Sequence, residues 1–467
     1  MTIIHWKEEI EKRKEQLLED TKGLLTIPSL LDESNGKEGA PFGPEIEKAL
    51  SYMLTLGEKS GMTIKNVDGY AGHLEMGSGE ELIGILCHVD VVPPGEGWSF
   101  DPFGAEIKDG KIYARGAIDD KGPTMAAFYA MKIIQELKLP LSKRVRMIIG
   151  CDEESNWQCV RHYFNKEEMP DYGFAPDADF PIINAEKGIF DVQFTLDSNN
   201  HDIGEIQLVS FQSGQRLNMV PDRAIAKISG RSLAELEKEF KLFAKTKNMD
   251  CRTILEEEVL TIQAEGKSAH GSTPEIGINA GLMLAEFLKG FSFTGQEKKF
   301  LTLLDQASGE FSGKKLGIAA EDKESGSLTV NVGVMNYSCQ GGGKVGMNIR
   351  YPVTHNSEQI EAVLTKKAES DTWKIKIIEN NPPNFVDENH PMIKTLQKVY
   401  KEQTGEEGEL IAIGGGTYAR SLTTGVAFGA LFPGREDVAH QKDEYMHVDD
   451  LLQAAAIYAQ AIYELAK

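Results

Sequence analysis

The sequence predicts an α/β protein in which a domain with a largely parallel sheet is interrupted by an inserted α+β region. Three observations carry this. Between about residues 80 and 190, strand-like and helix-like segments alternate, the pattern of a mostly parallel sheet with crossover helices. After "NAEKG" (184–188) the texture changes to strands of period-two alternation separated by helices. At "NNPPNF" (380–385) a turn-rich run marks the return to the first kind of text. The expected organisation is 1–187 as the first part of one domain, 188–382 as the insertion, and 383–467 as the completion of the first.

The elements follow in order. In "MTIIHWKEEIEKRKEQLLED", Ile3, Trp6, Ile10 and Leu17 fall at helical spacing and predict a short amphipathic helix. No apolar core followed by small residues is present there, so the stretch does not read as a signal peptide. "ELIGILCHVDVV" (81–92) is a strand. "GKIYARGAIDDKGPTM" (110–125) leads into a helix carrying Ala127, Ala130, Met131, Ile134 and Leu137. "KRVRMIIGCDEE" (143–154) is a further strand closed by acids. In the insertion, "IFDVQFTLDS", "RAIAKISG", "VLTIQAEG" and "LTVNVGVMNY" read as strands, and "SLAELEKEFKLFAK" and "INAGLMLAEFLKGF" as helices. Two helices close the chain, "HPMIKTLQKVYKEQTG" and "VDDLLQAAAIYAQAIYELAK".

Composition narrows the function classes. With 41% apolar and 26% charged residues, the chain resembles an ordinary globular enzyme. A net charge of −22 argues against nucleic acid and anionic membrane surfaces as partners. No apolar run approaches the ~20 residues needed to span a bilayer. The five cysteines (Cys87, Cys151, Cys159, Cys251, Cys339) are odd in number and form no CxxC pair. A cytoplasmic protein with reduced thiols is expected; Cys151 and Cys159 could serve redox control, with inert buried thiols the default reading.

In open parallel sheets, functional groups gather beyond the carboxyl ends of the strands. His88, Asp119, Glu154, Asp177 and His440 fall at such ends or in loops, as a histidine–carboxylate set suited to zinc, manganese or cobalt. Five ligands exceed what one tetrahedral ion needs; they fit two ions sharing a carboxylate, which together can acidify a shared water and polarise a carbonyl. Each residue has a plainer reading. Asp119 or Asp120 suits a helix cap with Pro123 in the first turn. "CDEES" suits a solvated acidic loop, "PDADF" an Asx turn, and "EDVAHQKDEYMH" a charged loop.

The stretches "CHVDVVPPGEGWSFDPF" (87–103), "YARGAIDDKGP" (113–123), "CDEESNWQC" (151–159) and "FAPDADFPIINAEKG" (174–188) closely resemble the co-catalytic di-zinc metallopeptidase family of aminoacylases, carboxypeptidases, desuccinylases and carnosinases. The "EESNW" and "PDADFP" text and the chain length of 467 look most like its bacterial dipeptidase V (Xaa-His dipeptidase) branch. The resemblance covers nearly the whole chain. It implies a zinc-peptidase-like catalytic domain with the inserted region as a lid. It also implies that His88 and Asp177 bind one ion, Glu154 and His440 the other, and that Asp119 bridges them across a cis Asp119–Asp120 peptide. Asp90, two residues beyond His88, would then hydrogen-bond the imidazole and fix its tautomer. Glu153 matches the family's general base, taking a proton from the attacking water and delivering it to the leaving amine.

By the same resemblance the inserted region carries substrate groups. His270 in "AEGKSAHGSTP" matches an oxyanion-stabilising histidine, and Asn218 in "RLNMVPD" a position near the substrate. Arg350 in "GMNIRYPV" is a planar donor suited to a substrate carboxylate, and "AIGGGTYAR" offers backbone N–H groups of Gly415, Gly416 and Thr417 to the same carboxylate. Read plainly, His270 is a surface residue, Arg350 an ion-pair partner, and the glycines a tight turn. "GGGKVG" (341–346) is not a phosphate loop, because no Ser or Thr follows the lysine.

The expected activity is hydrolysis of dipeptide amide bonds by a two-metal enzyme that closes over short substrates. The alternative is a deacylase of N-acyl amino acids or N-succinyl-diaminopimelate, because both substrate classes carry a carboxylate. A non-catalytic binding protein with this fold is the third reading, against which Glu153 and the full ligand set stand. The enlarged lid of the dipeptidase V branch mimics a partner subunit, which implies a monomer.

Overall fold

The computed structural model describes residues 4–197 and 204–467; Ile3 and Ser198, parts of the predicted first helix and first inserted strand, lie outside them. The chain forms two compact units. One comprises Met1–Ala185, Asn384–Ala412 and Gly416–Lys467, the other Glu186–Pro383 with the short piece Ile413–Gly415.

The first unit is built on a nine-stranded sheet whose centre is parallel. Arg144–Gly150, Leu82–His88, Tyr172–Ala175 and Gly425–Ala427 run side by side in one direction, with Leu82 opposite Arg144 and His88 opposite Gly150. Leu82–His88 is buried at every position, which is why its sequence is a continuous apolar run rather than an alternation. On one flank Ala71–Gly77 and then Thr63–Val67 pair antiparallel. The helices Lys121–Glu136 and Val448–Ala466 pack against each other on this sheet.

Two predicted helices differ in detail. The N-terminal helix is two, Trp6–Glu11 and Lys14–Leu25, separated where Arg13 turns to bond Glu9 and Glu136; Trp6, Ile10 and Leu17 are buried as their spacing implies. The helix after the "DDKGP" run is buried on all sides from Lys121 to Ile134, and Leu137 lies beyond its end, 37% exposed. Because the parallel strands stop at His88, Gly150 and Ala175, residues 88–90, 151–154 and 176–177 emerge at one edge of the sheet.

The second unit holds an eight-stranded antiparallel sheet, as the period-two text predicts. It has two halves of similar construction. In one, the hairpin of Ile206–Ser213 and Arg223–Gly230 leads through the helix Leu233–Thr246 to Cys251–Glu256, and Val259–Glu265 fills the gap between the last two strands. In the other, the hairpin of Thr329–Ser338 and Gly342–Tyr351 leads through the helix Ser357–Asp371 to Lys374–Asn381, with Gly188–Leu196 filling the gap. The halves meet where Ile206–Ser213 pairs with Thr329–Ser338. Phe190, Phe194, Phe211, Phe240, Phe300 and Tyr337 sit in the core beneath. "GGGKVG" runs into the strand Gly342–Tyr351, so it is sheet, not a phosphate loop.

Among the described residues, no helix is long and apolar enough to cross a membrane. All five cysteines are free, and Cys87, Cys151 and Cys159 are buried.

Candidate metal centre

His88 is the last residue of its strand and is fully buried. Its backbone is pinned from below: its N–H donates to Asp120 Oδ2 at 3.1 Å, and the Thr124 hydroxyl oxygen lies 3.2 Å from its carbonyl. Nδ1 lies 3.0 Å from the Asp90 carbonyl oxygen. A carbonyl only accepts, so Nδ1 carries a proton and Nε2 points the other way. There it meets Asp119 Oδ1 at 3.1 Å and Asp177 Oδ2 at 3.6 Å.

The part of Asp90 nearest the ring is thus its main chain; its carboxylate stands at 3.5 Å from Nδ1. That carboxylate does a second job. It accepts the N–H groups of Glu153 at 3.2 Å and Glu154 at 3.0 Å, and so fixes the turn at the end of Arg144–Gly150 from which both glutamates project.

Asp119 follows the strand Lys111–Tyr113, and the Asp119–Asp120 peptide is cis, as the resemblance implies. Asp120 is the residue before the helix Lys121–Glu136, but its side chain does not cap that helix; it accepts from His88 N–H and from the Thr124 hydroxyl at 2.9 Å. The two oxygens of Asp119 face different histidines, Oδ1 toward His88 and Oδ2 toward His440 Nε2 at 2.9 Å. His440, held at a left-handed φ of 61°, also reaches Glu154 Oε1 at 3.0 Å. Donor atoms of His88, Glu153 and Asp177 lie within 4.8 Å of one another, as do those of His88, Asp119 and Glu154.

The electrostatics are those of a cation site. Burial pushes Glu153 well above the ordinary carboxylate range and also raises Glu154 and Asp177. Burial acts on Asp119 in the same sense, yet its bonds to His440 and His88 pull it below that range. Bonds to Asp119 and Glu154 push His440 up to about 10. Positive charge belongs between His88 Nε2 and the carboxylates of Asp119 and Asp177, as a proton or a cation: against the effect of burial, their bonds and charge raise the His88 pKa well above its ordinary value. Histidine nitrogens and carboxylate oxygens, with one carboxylate spanning both histidines, fit a pair of divalent cations of the zinc, manganese or cobalt type.

Nearby, the Cys159 thiol touches the Tyr418 hydroxyl at 3.2 Å, and Tyr418 stacks edge-on against His88. Burial pushes Cys159 up to about 12 and Cys151 well above the ordinary range, which favours the protonated form of both thiols.

The second unit holds the other predicted residues. Gly271 N–H donates to the Asn218 carbonyl at 2.7 Å, and a Cβ at Gly271 would approach that backbone to 2.9 Å, so only glycine fits there. Asn331 Nδ2 ties down both neighbours of Asn218, the carbonyls of Leu217 at 2.7 Å and Met219 at 2.9 Å. His270 is exposed, and Ser272 contacts its Nδ1. Arg350 is 4% exposed; Nε donates to Asn348 Oδ1 at 2.8 Å and Nη1 to the Gly414 carbonyl at 3.0 Å. Gly415 belongs to this unit, Gly416 and Thr417 to the first. The Thr417 side chain accepts from Ala419 N–H at 3.3 Å and caps the short helix Tyr418–Ser421.

The family model described as "Peptidase family M20/M25/M40" matches residues 84–464. The chain belongs to this family. The M20 chain is 54% identical over 466 residues to a Bacillus subtilis protein named "Putative dipeptidase YtjP", covering 99% of this chain and 100% of that one. Its fold resembles the crystal structures of aminoacylhistidine dipeptidase from Vibrio alginolyticus (TM-score 0.60, 13% identity, 97% and 96% of the two chains) and human carnosine dipeptidase 1 (TM-score 0.58, 14% identity, 98% of each).

Several residues of this M20 site were not legible in the sequence. Glu444 is fully buried, pairs with Arg115, and accepts the N–H groups of Ile118 at 3.0 Å and Asp119 at 3.3 Å. It stands four residues after His440 in "EDVAHQKDEYMH", where it reads as one more solvated acid. Ser272, Asn331 and Asn348 carry no motif signal of their own; only the folded chain brings them beside His270, Asn218 and Arg350.

Proposed function

We propose that this M20 peptidase is a two-metal dipeptidase of the dipeptidase V branch, acting as a cytoplasmic monomer on short peptides. The observation that carries the two-metal reading is Asp119, whose two oxygens address His88 and His440 separately. The names of the similar proteins support dipeptides as substrates. His88 and Asp177 would hold one ion, Glu154 and His440 the other, with Asp119 shared. Two divalent ions held there, zinc by our reading, would supply electrophilic activation of the scissile carbonyl and acidify the attacking water.

The remaining chemistry belongs to the chain. Glu153 takes the proton of the water as its oxygen attacks the amide carbon, then passes it to the leaving nitrogen as the C–N bond breaks. Burial, which keeps this carboxyl readily protonated, suits the second half of that task. Asp90 orients the His88 ring through its carbonyl and the Glu153–Glu154 turn through its carboxylate. In the inserted unit His270 donates to the developing oxyanion, and Asn218 assists it. Arg350, with Gly415, Gly416 and Thr417 N–H groups, receives the free carboxylate of the substrate.

The test is amide hydrolysis by metal-stripped protein reconstituted separately with Zn²⁺, Mn²⁺ and Co²⁺. Substrates are dipeptides, β-alanyl-His, N-acetyl amino acids and N-succinyl-diaminopimelate, with Glu153→Ala as control. Dipeptide cleavage that needs metal and is lost in the control is the expected result. Cleavage of the acylated compounds alone would move the chain to a deacylase role, and inactivity of folded, metal-loaded protein would leave a binding protein.

A further inference from the structure

The loop 266–273 that carries His270 is held to its own unit by main-chain bonds on both sides. Lys267 exchanges bonds with Ile278, Val220 N–H donates to the Ala269 carbonyl at 2.8 Å, and Thr273 N–H donates to the His270 carbonyl at 3.1 Å. The backbone of His270 is therefore fixed, and what remains to be set is its ring.

Both contacts of Nδ1 come from one residue. The Ser272 hydroxyl oxygen lies 2.6 Å away and the Ser272 backbone nitrogen 3.2 Å away. A backbone N–H can only donate, so Nδ1 must present its lone pair to it. The hydroxyl, which rotates freely, then turns its own proton to the same lone pair. With Nδ1 doubly occupied as an acceptor, the ring proton is on Nε2. Among the described residues Nε2 has no hydrogen-bond partner, so this donor is not consumed within the fold.

We propose that Ser272 is a positioning residue that locks His270 as the neutral Nε2–H tautomer and so presents a single, oriented N–H donor to the substrate oxyanion. The proposal rests on the oxyanion role assigned to His270 above. A tautomer with the proton on Nδ1 would offer the oxyanion a lone pair and repel it. Protonation of Nδ1 would set its proton against the Ser272 N–H, so that contact disfavours the charged ring. Although the residue as a whole is exposed, partial desolvation of its ring and the neighbouring Arg350 charge act in the same direction.

Ser272 also joins the two halves of the substrate machinery within this unit. A Cβ added at Gly414 would sit 2.9 Å from Ser272 Cβ, so these residues are in close contact. The Gly414 carbonyl in turn accepts from Arg350 Nη1 at 3.0 Å. One serine thus sets the His270 ring and packs on the residue that receives the arginine.

The first experiment is ¹⁵N NMR of the histidine rings in the intact, metal-loaded protein, with His270 assigned by its absence in His270→Ala. The expected spectrum at pH 7.5 shows a protonated Nε2 and an acceptor-type Nδ1 for His270. A protonated Nδ1, or a charged ring at that pH, overturns the proposal. In Ser272→Ala the ring should show mixed tautomers and a higher pKa. In that variant kcat should fall at least about fivefold, with KM for dipeptide within about twofold of the parent. An unchanged ring spectrum and kcat in Ser272→Ala equally overturn it, and so does a raised KM with kcat intact, the result of a merely structural role. If instead His270→Ala retains full activity, the oxyanion role of His270 fails while the tautomer assignment stands, so the two failures are separable.

Discussion

A carboxylate buried beside the loop it organises carries more of the site than its motif suggests. Glu444 accepts two consecutive amide N–H groups, those of Ile118 and Asp119, and pairs with the buried Arg115. Its neutral isostere in Glu444→Gln puts an NH₂ against groups that are all donors, and leaves Arg115 without its countercharge. Unsatisfied buried donors cost about 1–3 kcal/mol, which sets the expected loss of stability. Because Asp119 is the carboxylate that faces both histidines, the same change should weaken metal binding about 10–100-fold. Titration calorimetry of the apo-protein with Zn²⁺, beside a thermal melt, checks both, and unaltered affinity would refute the link. Much of the site was legible: His88, Asp119, Glu154, Asp177 and His440 stand at strand ends or in loops, and the fold does gather them. The supporting residues were not, since Asp90 acting through its carbonyl, Glu444 and Ser272 depend on distances that no spacing along the chain encodes.

At the scale of elements, what the sequence revealed follows from burial. Strands with a continuous apolar run or clean alternation, such as Leu82–His88 and Arg223–Gly230, were legible within a few residues. Cys251–Glu256 and Lys374–Asn381 form the two edges of the antiparallel sheet; most of their positions are exposed or half-buried, so little hydrophobic pattern marks them. Helix Gly295–Ala307 was also unread, and its first turn holds an acid, Glu297, that is 6% exposed. Burial pushes this carboxyl up to about 7, with the Leu208 amide pulling the other way. Its folded pKa lies above the unfolded value, so its contribution to stability is complete below about pH 4.5 and is lost as pH rises through about 7. Glu297→Gln should therefore stabilise the protein at pH 8 by about 1–2 kcal/mol and change little at pH 4.5. Thermal melts across that range decide it; a variant as unstable as the parent at pH 8 would sink the assignment. In the other unit, Gly150 ends its strand where a Cβ would lie 2.0 Å from the Tyr418 hydroxyl, whose ring packs on His88. Gly150→Ala should cost about 1–3 kcal/mol as Tyr418 is displaced, read by denaturant unfolding, and an unchanged midpoint would show that the ring yields freely.

At the scale of the whole molecule, the chain lays one unit inside the sequence of another, and the six side chains of the candidate metal centre, including Glu153, all belong to the outer one. The antiparallel unit has its own core of Phe190, Phe194, Phe240 and Phe300 and holds none of them. A ligand that binds only the native form of one unit stabilises that unit by mass action, about 2.7 kcal/mol at a hundredfold excess over its Kd. For a unit of this size that corresponds to a rise of roughly 5–10 °C. Calorimetry of the apo-protein is therefore expected to show two transitions. Added Zn²⁺ should move one upward in proportion to the logarithm of its concentration and leave the other in place. Glu154→Gln, which removes a ligand of one of the two ions, should reduce the movement without shifting the insensitive transition. Assignment follows from Glu297→Gln, which at pH 8 should move only the transition that metal does not touch. A single transition that metal shifts as a whole would show that the nested units unfold as one, and that the charge gathered around Asp119 stabilises the entire chain.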